Sequence, residues 1–262
     1  MNVLDIQKMK IEGKKITMVT CYDYTFGRLI ARTDIDIVLV GDSVSMVVHG
    51  YPNTLHATTE MMAMHTAAVA RAVPGKFLVT DIPFPKHRQG IREAMSCVDV
   101  LMKAGARAVK IEGSEGHEDV IRHIVASGVP VMGHLGLLPQ SIHRLGGYKV
   151  QGRESKARAR LVHQAQLLED SGCFAIVLEC VPTKTGAAIA KQVRIPAIGI
   201  GAGPFVDGQV LVLQDLLGLT TEAQPRFVRQ FFAGAASVLD AVRAFDNDVR
   251  AGSFPSETES YE

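Results

Sequence analysis

The sequence predicts one α/β domain folded as a (β/α)8 TIM barrel, and three observations predict it. Short β-branched runs alternate with longer helix-patterned stretches along the 262 residues. Eight such runs occur, each apolar almost throughout, as parallel strands buried on both faces must be. A barrel of this kind takes about 250 residues, and no linker interrupts the alternation, so residues 1–262 read as a single domain. An open doubly wound sheet is the rival, but no clear dinucleotide-binding unit supports it.

In chain order the predicted strands are 16–21 (ITMVTC), 36–41 (DIVLVG), 77–81 (FLVTD), 108–112 (AVKIE), 130–134 (PVMGH), 174–179 (FAIVLE), 197–201 (AIGIG) and 210–213 (VLVL). Helices are expected over 58–72, 91–104, 117–127, 154–170 and 184–193, several closed by a glycine such as Gly105, Gly128 or Gly172. A long last helix is expected over 225–250, ending at Gly252. Residues 1–14 form an N-terminal extension that could lie as a helix under the barrel floor. Residues 253–262 (SFPSETESYE) are polar and acidic and read as a mobile tail.

Composition narrows the function classes. The chain is 47% hydrophobic and 21% charged, an ordinary globule rather than a disordered segment. Its 28 basic and 27 acidic residues nearly cancel, so neither nucleic acid nor an anionic membrane is implied as a partner. No run of about 18 apolar residues suggests a membrane span, and no signal-peptide pattern opens the chain, so a cytoplasmic location is expected. Cys21, Cys97, Cys173 and Cys180 form no C-x-x-C pair and read as reduced core thiols.

In a barrel of this type the chemistry sits where strand C-termini meet the loops. The second strand ends in Gly41-Asp42-Ser43, the third in Asp81, the fourth in Lys110-Ile111-Glu112, the fifth in Gly133-His134, the sixth in Glu179-Cys180. One acid at a strand end is usually a helix cap. Several carboxylates on one rim repel unless something positive sits among them, and a hard divalent cation answers that. Asp42, Asp81 and Glu112 supply oxygens only, which selects Mg2+ (or Mn2+) over Zn2+. Lys110 and Glu112 are two apart and share a strand face. They form either a structural ion pair or a holder for an anionic substrate group. Glu179 has apolar neighbours whose desolvation makes a carboxylate a better proton acceptor, although it could equally be an ordinary buried acid. The glycines of 198–203 (IGIGAG) are not a dinucleotide fingerprint and read as room for a ligand to approach backbone. Met61, Met62 and Met64 read as core, His65, His143 and His163 as surface or satisfied residues. Residues 146–153 (GGYKVQGR) are either a mobile lid or a long loop.

The stretches VGDS (40–43), DIPF (81–84), VKIEG (109–113), GHLGLLPQS (133–141), GGYKVQGR (146–153), LECVP (178–182), IGIGAG (198–203) and DGQVLV (207–212) together resemble ketopantoate hydroxymethyltransferases, in that family's order and spacing. The resemblance implies a Mg2+-dependent barrel enzyme of pantothenate and coenzyme A biosynthesis. It implies transfer of a hydroxymethyl group from methylenetetrahydrofolate to 3-methyl-2-oxobutanoate, and assembly as a decamer of two pentameric rings. By motif match, Asp42 and Asp81 resemble the metal ligands, with Glu112 at or near the metal; Asp42, Ser43, Asp81 and Lys110 resemble substrate contacts; Glu179 resembles the proton acceptor. Ser45, His49, His56 and residues 85–90 depart from the family's usual pattern. Two rivals are a related Mg2+ barrel lyase or mutase acting on oxo acids, and an inactive barrel kept as a binding protein.

Overall fold

The computed structural model describes residues 1–221 and 224–262, apart from the side chain of Leu145. Eight parallel strands pair in sequence order and close β8 onto β1. They are β1 (Ile16–Thr20), β2 (Ile37–Val40), β3 (Phe77–Asp81), β4 (Ala108–Glu112), β5 (Val131–Gly136), β6 (Ala175–Glu179), β7 (Ala197–Ile200) and β8 (Gly208–Leu211). The helices are α1 (Val3–Ile11), α2 (Tyr24–Ile30), α3 (Val44–Val47), α4 (Thr59–Ala72), α5 (Ile91–Lys103), α6 (Glu118–Ala126), α7 (Ile142–Leu145), α8 (Ser155–Asp170), α9 (Thr183–Gln192), α10 (Leu213–Leu216) and α11 (Val238–Ala251). The (β/α)8 barrel is therefore the observed architecture.

Alternation along each strand divides the apolar residues into two cores. Val19, Val38, Leu78, Val109 and Ile176 face outward into the layer packed under the helices. Met18, Ile37, Phe77, Val79, Ala108, Met132, Val177 and Val210 fill the interior. Ile6 of α1 joins that interior cluster, so the first helix plugs the floor. Lys10 pins it there, donating to the carbonyls of Ala190, Val193 and Ile195 and to Asp207 Oδ2, each at 2.9 Å. Arg250 of α11 ties the last helix to the floor through Asp36 (3.1 Å) and the carbonyls of Asp34 (2.8 Å) and Lys15 (2.9 Å).

Four expectations need correction. Strand eight begins two residues earlier than 210–213, because Gly208 pairs with Ile16, whose carbonyl lies where a Cβ at 208 would be, 2.2 Å away. The last helix begins only at Val238, capped by Ser237 accepting from the Asp240 N–H at 3.2 Å. Upstream, Gly234 takes φ +86°, a conformation that ends helical continuity, and Phe227 and Phe231 pack inward from irregular backbone. Residues 253–262 are not a loose tail: Phe254 is buried, and Arg229 grips Glu259 through two contacts of 2.7 Å. Met64 is exposed, whereas Met62 is core. All four cysteines are free and buried. Among the described residues no helix is long and apolar enough to cross a membrane.

Candidate active site

The inward-facing positions change character from floor to rim. On β3 they run Phe77, Val79, Asp81; on β4 Ala108, Lys110, Glu112; on β5 Met132, His134; on β6 Ala175, Val177, Glu179. The apolar layers fill the barrel, and the last layer carries the charge. Register then sets neighbours: Asp81 stands beside Lys110, Glu112 beside His134, and Gly136 beside Glu179. Gly136 has φ +96°, and a Cβ there would meet the Glu179 carbonyl oxygen at 2.1 Å. Only glycine lets β5 pass so close to the residue at the end of β6.

This layer opens into a cavity of about 890 Å3, a size suited to a drug-sized ligand. Asp42, Ser43, Asp81, Lys110, Glu112 and Glu179 all line it, so every residue singled out in the sequence reaches one pocket. Lys110 Nζ lies 2.9 Å from Asp81 Oδ1. The Asp42 N–H donates to Asp81 Oδ2 at 3.0 Å. Ser43 Oγ lies 2.7 Å from the Tyr22 hydroxyl. His134 bridges two acids, with Nδ1 3.5 Å from Glu112 Oε1 and Nε2 3.2 Å from Glu179 Oε2.

Burial and crowding set the charges. Burial, and then the neighbouring Asp81 and Glu112 carboxylates, raise the Asp42 carboxyl well above the usual range. Burial opposes the Lys110 ammonium, but Asp81, Glu112 and Asp42 outweigh it and hold the group charged. Burial and Lys110 likewise oppose charging His134; the Glu112 and Glu179 carboxylates beside it prevail and raise it to about 9. The ring is held between Glu179 at Nε2 and both Glu112 and Lys110 at Nδ1.

The donor set fits a hard cation. Asp81 Oδ1 and Glu112 Oε1 are buried and have no aligned hydrogen-bond donor. Asp42, Asp81 and Glu112 thus place several carboxylate oxygens around one buried point, between the Lys110 ammonium and the His134 ring. Among the described residues no three His, Cys, Asp or Glu side chains form a ready-made cage. Oxygen-only donors such as Asp42 and Asp81 suit Mg2+, which takes one or two carboxylates and fills its remaining positions with water or substrate.

Sequence reasoning missed three polar participants. His134 was noted at a strand end but given no role, although it shares the inward parity of Met132. Gln140, on the turn after β5, donates Nε2 to Asp42 Oδ2 at 2.8 Å and to the Ile82 carbonyl at 3.0 Å, while its N–H donates to Glu112 Oε2 at 3.1 Å. It lies in the 133–141 stretch, but no spacing rule points to its side chain. Tyr22, after β1, has no local signal either. The glycines of 198–203 serve the chain's own packing: Gly201, at φ +68°, leaves room for Phe227, which a Cβ would meet at 2.6 Å.

Fold and rim together define an α/β-barrel enzyme with a buried, carboxylate-rich pocket of small-molecule size. Structural neighbours share that architecture at low identity. A phosphonopyruvate hydrolase solved with oxalate and Mg2+ superposes with TM-score 0.61 at 16% identity, covering 96% of this chain and 98% of that one. A 2,3-dimethylmalate lyase superposes with TM-score 0.59 at 12% identity, covering 95% and 98%. Sequence relatives are nearer. The 3-methyl-2-oxobutanoate hydroxymethyltransferase of Bdellovibrio bacteriovorus is 49% identical over 259 residues, covering 99% of this chain and 98% of its own. That of Coxiella burnetii is 48% identical over 263 residues, covering 100% and 99%. The ketopantoate hydroxymethyltransferase profile matches residues 1–257. The chain belongs to the ketopantoate hydroxymethyltransferase family.

Proposed function

We propose that the protein transfers a hydroxymethyl group from methylenetetrahydrofolate to 3-methyl-2-oxobutanoate, giving ketopantoate for pantothenate synthesis. Full-length similarity to relatives of that name supports the reaction. The observation that carries the mechanism is the single pocket joining Asp42, Asp81, Lys110 and Glu112 to Glu179.

Asp42 and Asp81 would hold Mg2+, with Glu112 adjacent. When bound, the ion supplies electrophilic polarisation of a 2-oxo acid, which acidifies the carbon next to the carbonyl. Lys110 and Ser43 bind the substrate carboxylate, an ammonium and a hydroxyl against two oxygens. Glu179 removes the C3 proton as general base, and His134 Nε2, 3.2 Å away, orients that carboxylate. The C3 carbon then bonds to the one-carbon unit of the carrier. Water supplies the hydroxyl, and tetrahydrofolate leaves. Apolar walls at Leu39, Val177, Ile200 and Val210 shield the step from bulk water. The same reading carries a decamer of two pentameric rings and a cytoplasmic setting, both from family membership.

Exchange of the substrate's C3 proton with solvent deuterium isolates the first step. Glu179→Gln should slow that exchange at least a hundredfold while leaving oxo-acid affinity within threefold. Wild-type exchange in the variant would eliminate Glu179 as base.

A further inference from the structure

On the reading above, the short branched oxo acid would occupy only the polar end of the cavity, where Asp42, Asp81 and Lys110 converge. The rest is larger than that molecule needs, and its wall beyond Glu179 is aromatic. Phe227 and Tyr261 line it, with ring centroids 6.4 Å apart at 73°. Tyr261 comes from the C-terminal segment, which is built into place rather than resting there. The Thr183 N–H and hydroxyl both donate to the Tyr261 carbonyl, at 2.9 and 3.1 Å, just as α9 begins. The Arg226 side chain donates to the Thr258 carbonyl at 2.8 Å, and Arg229 grips Glu259. Ser260 Oγ donates to the Ser256 carbonyl at 2.7 Å. Gly201 clears the space: a Cβ there would meet the Phe227 ring at 2.6 Å and Tyr261 Cε2 at 3.1 Å. Cys180, directly after Glu179, has φ +47° and lines the same wall. Three separate segments are thus shaped to present two rings to the cavity that Glu179 also lines.

We propose that Tyr261, backed by Phe227, is the contact that receives the flat nitrogen heterocycle of the one-carbon carrier and sets it over the substrate's reacting carbon. The inference rests on the transfer reaction proposed above. A flat conjugated ligand gains from a fixed aromatic edge or face, and a ring clamped through its own backbone loses little freedom on binding. In the reaction proposed above the oxo acid is held by Lys110 and Ser43, not by Tyr261, so Tyr261 acts on the affinity of one ligand only.

The test measures tetrahydrofolate binding by calorimetry together with the KM of each substrate. Tyr261→Leu keeps apolar bulk and removes the ring. It should raise the tetrahydrofolate Kd and the carrier KM about tenfold, with the oxo-acid KM moving less than twofold. Tyr261→Phe should restore both values. An unchanged Kd in the leucine variant, a parallel rise in both KM values, or failure of phenylalanine to rescue would each overturn the assignment. Should Tyr261→Leu not fold, Phe227→Leu tests the same wall with the same outcomes. If wild-type protein binds tetrahydrofolate yet forms no ketopantoate, the functional reading fails while the Kd comparison still decides the role of Tyr261.

Discussion

His87, on the loop after β3, offers a quantitative check on the electrostatics around the rim. It is only 1% exposed, and neither ring nitrogen has a well-aligned hydrogen-bond partner. His117 lies against it, with ring centroids 4.9 Å apart. Burial, then the neighbouring His117 and Arg88, push the His87 imidazole down to about 3 from an ordinary 6.5. The folded state thus resists protonation that the unfolded chain accepts. The associated stability is fully present above pH 6.5, falls as pH drops below that value, and is lost entirely near pH 3. At 1.36 kcal/mol per unit, about 1.5 units between pH 6.5 and pH 5 cost about 2 kcal/mol. His87→Phe keeps a ring against His117 and removes the titration. Urea unfolding of both proteins at pH 7.5 and pH 5 isolates the effect, because other groups cancel in the comparison. Wild type should lose about 2 kcal/mol more than the variant on acidification. Equal losses would show that His87 titrates as if exposed, and would refute the burial argument.

Two further outcomes follow from the site geometry. Gly136→Ala must shift β5 against the Glu179 carbonyl and hold alanine at a positive φ; a stability loss of about 3 kcal/mol and a collapse in turnover should appear together in thermal melts and rate assays. Full turnover in that variant would mean the β5–β6 approach does not place Glu179. Asp81→Ala removes a candidate metal ligand and the partner of Lys110; Mg2+ and oxo-acid affinity should both fall at least tenfold by calorimetry, and unchanged binding of both would reject Asp81 as a ligand.

Much of the barrel was legible because parallel strands buried on both faces leave near-continuous apolar runs. Runs such as DIVLV and FAIVLE are apolar on both faces, and Lys110 with Glu112 advertise a shared face by their spacing. The acids at strand ends were readable for the same reason. What escaped depends on contacts between distant segments. Gln140 matters because its amide reaches Asp42, 98 residues away. The start of β8 is decided by Gly208 meeting Ile16, not by the apolar run that continues to Leu213. Residues 225–237 carry helical periodicity, yet Gly234 and the inward seating of Phe227 and Phe231 override it. The acidic composition of 253–262 suggested solvent, whereas Arg229 and Thr183 supply the partners that fold it down.

The pairing of β8 with β1 has a bearing on how copies of this chain can meet. A closed ring leaves no strand with spare N–H and C=O groups, so sheet-to-sheet growth is barred once the ring shuts. Any stable assembly must use helix and loop surfaces. The vulnerable interval is before closure, while β1 waits for a partner whose first paired residue lies 192 positions later, at Gly208 against Ile16.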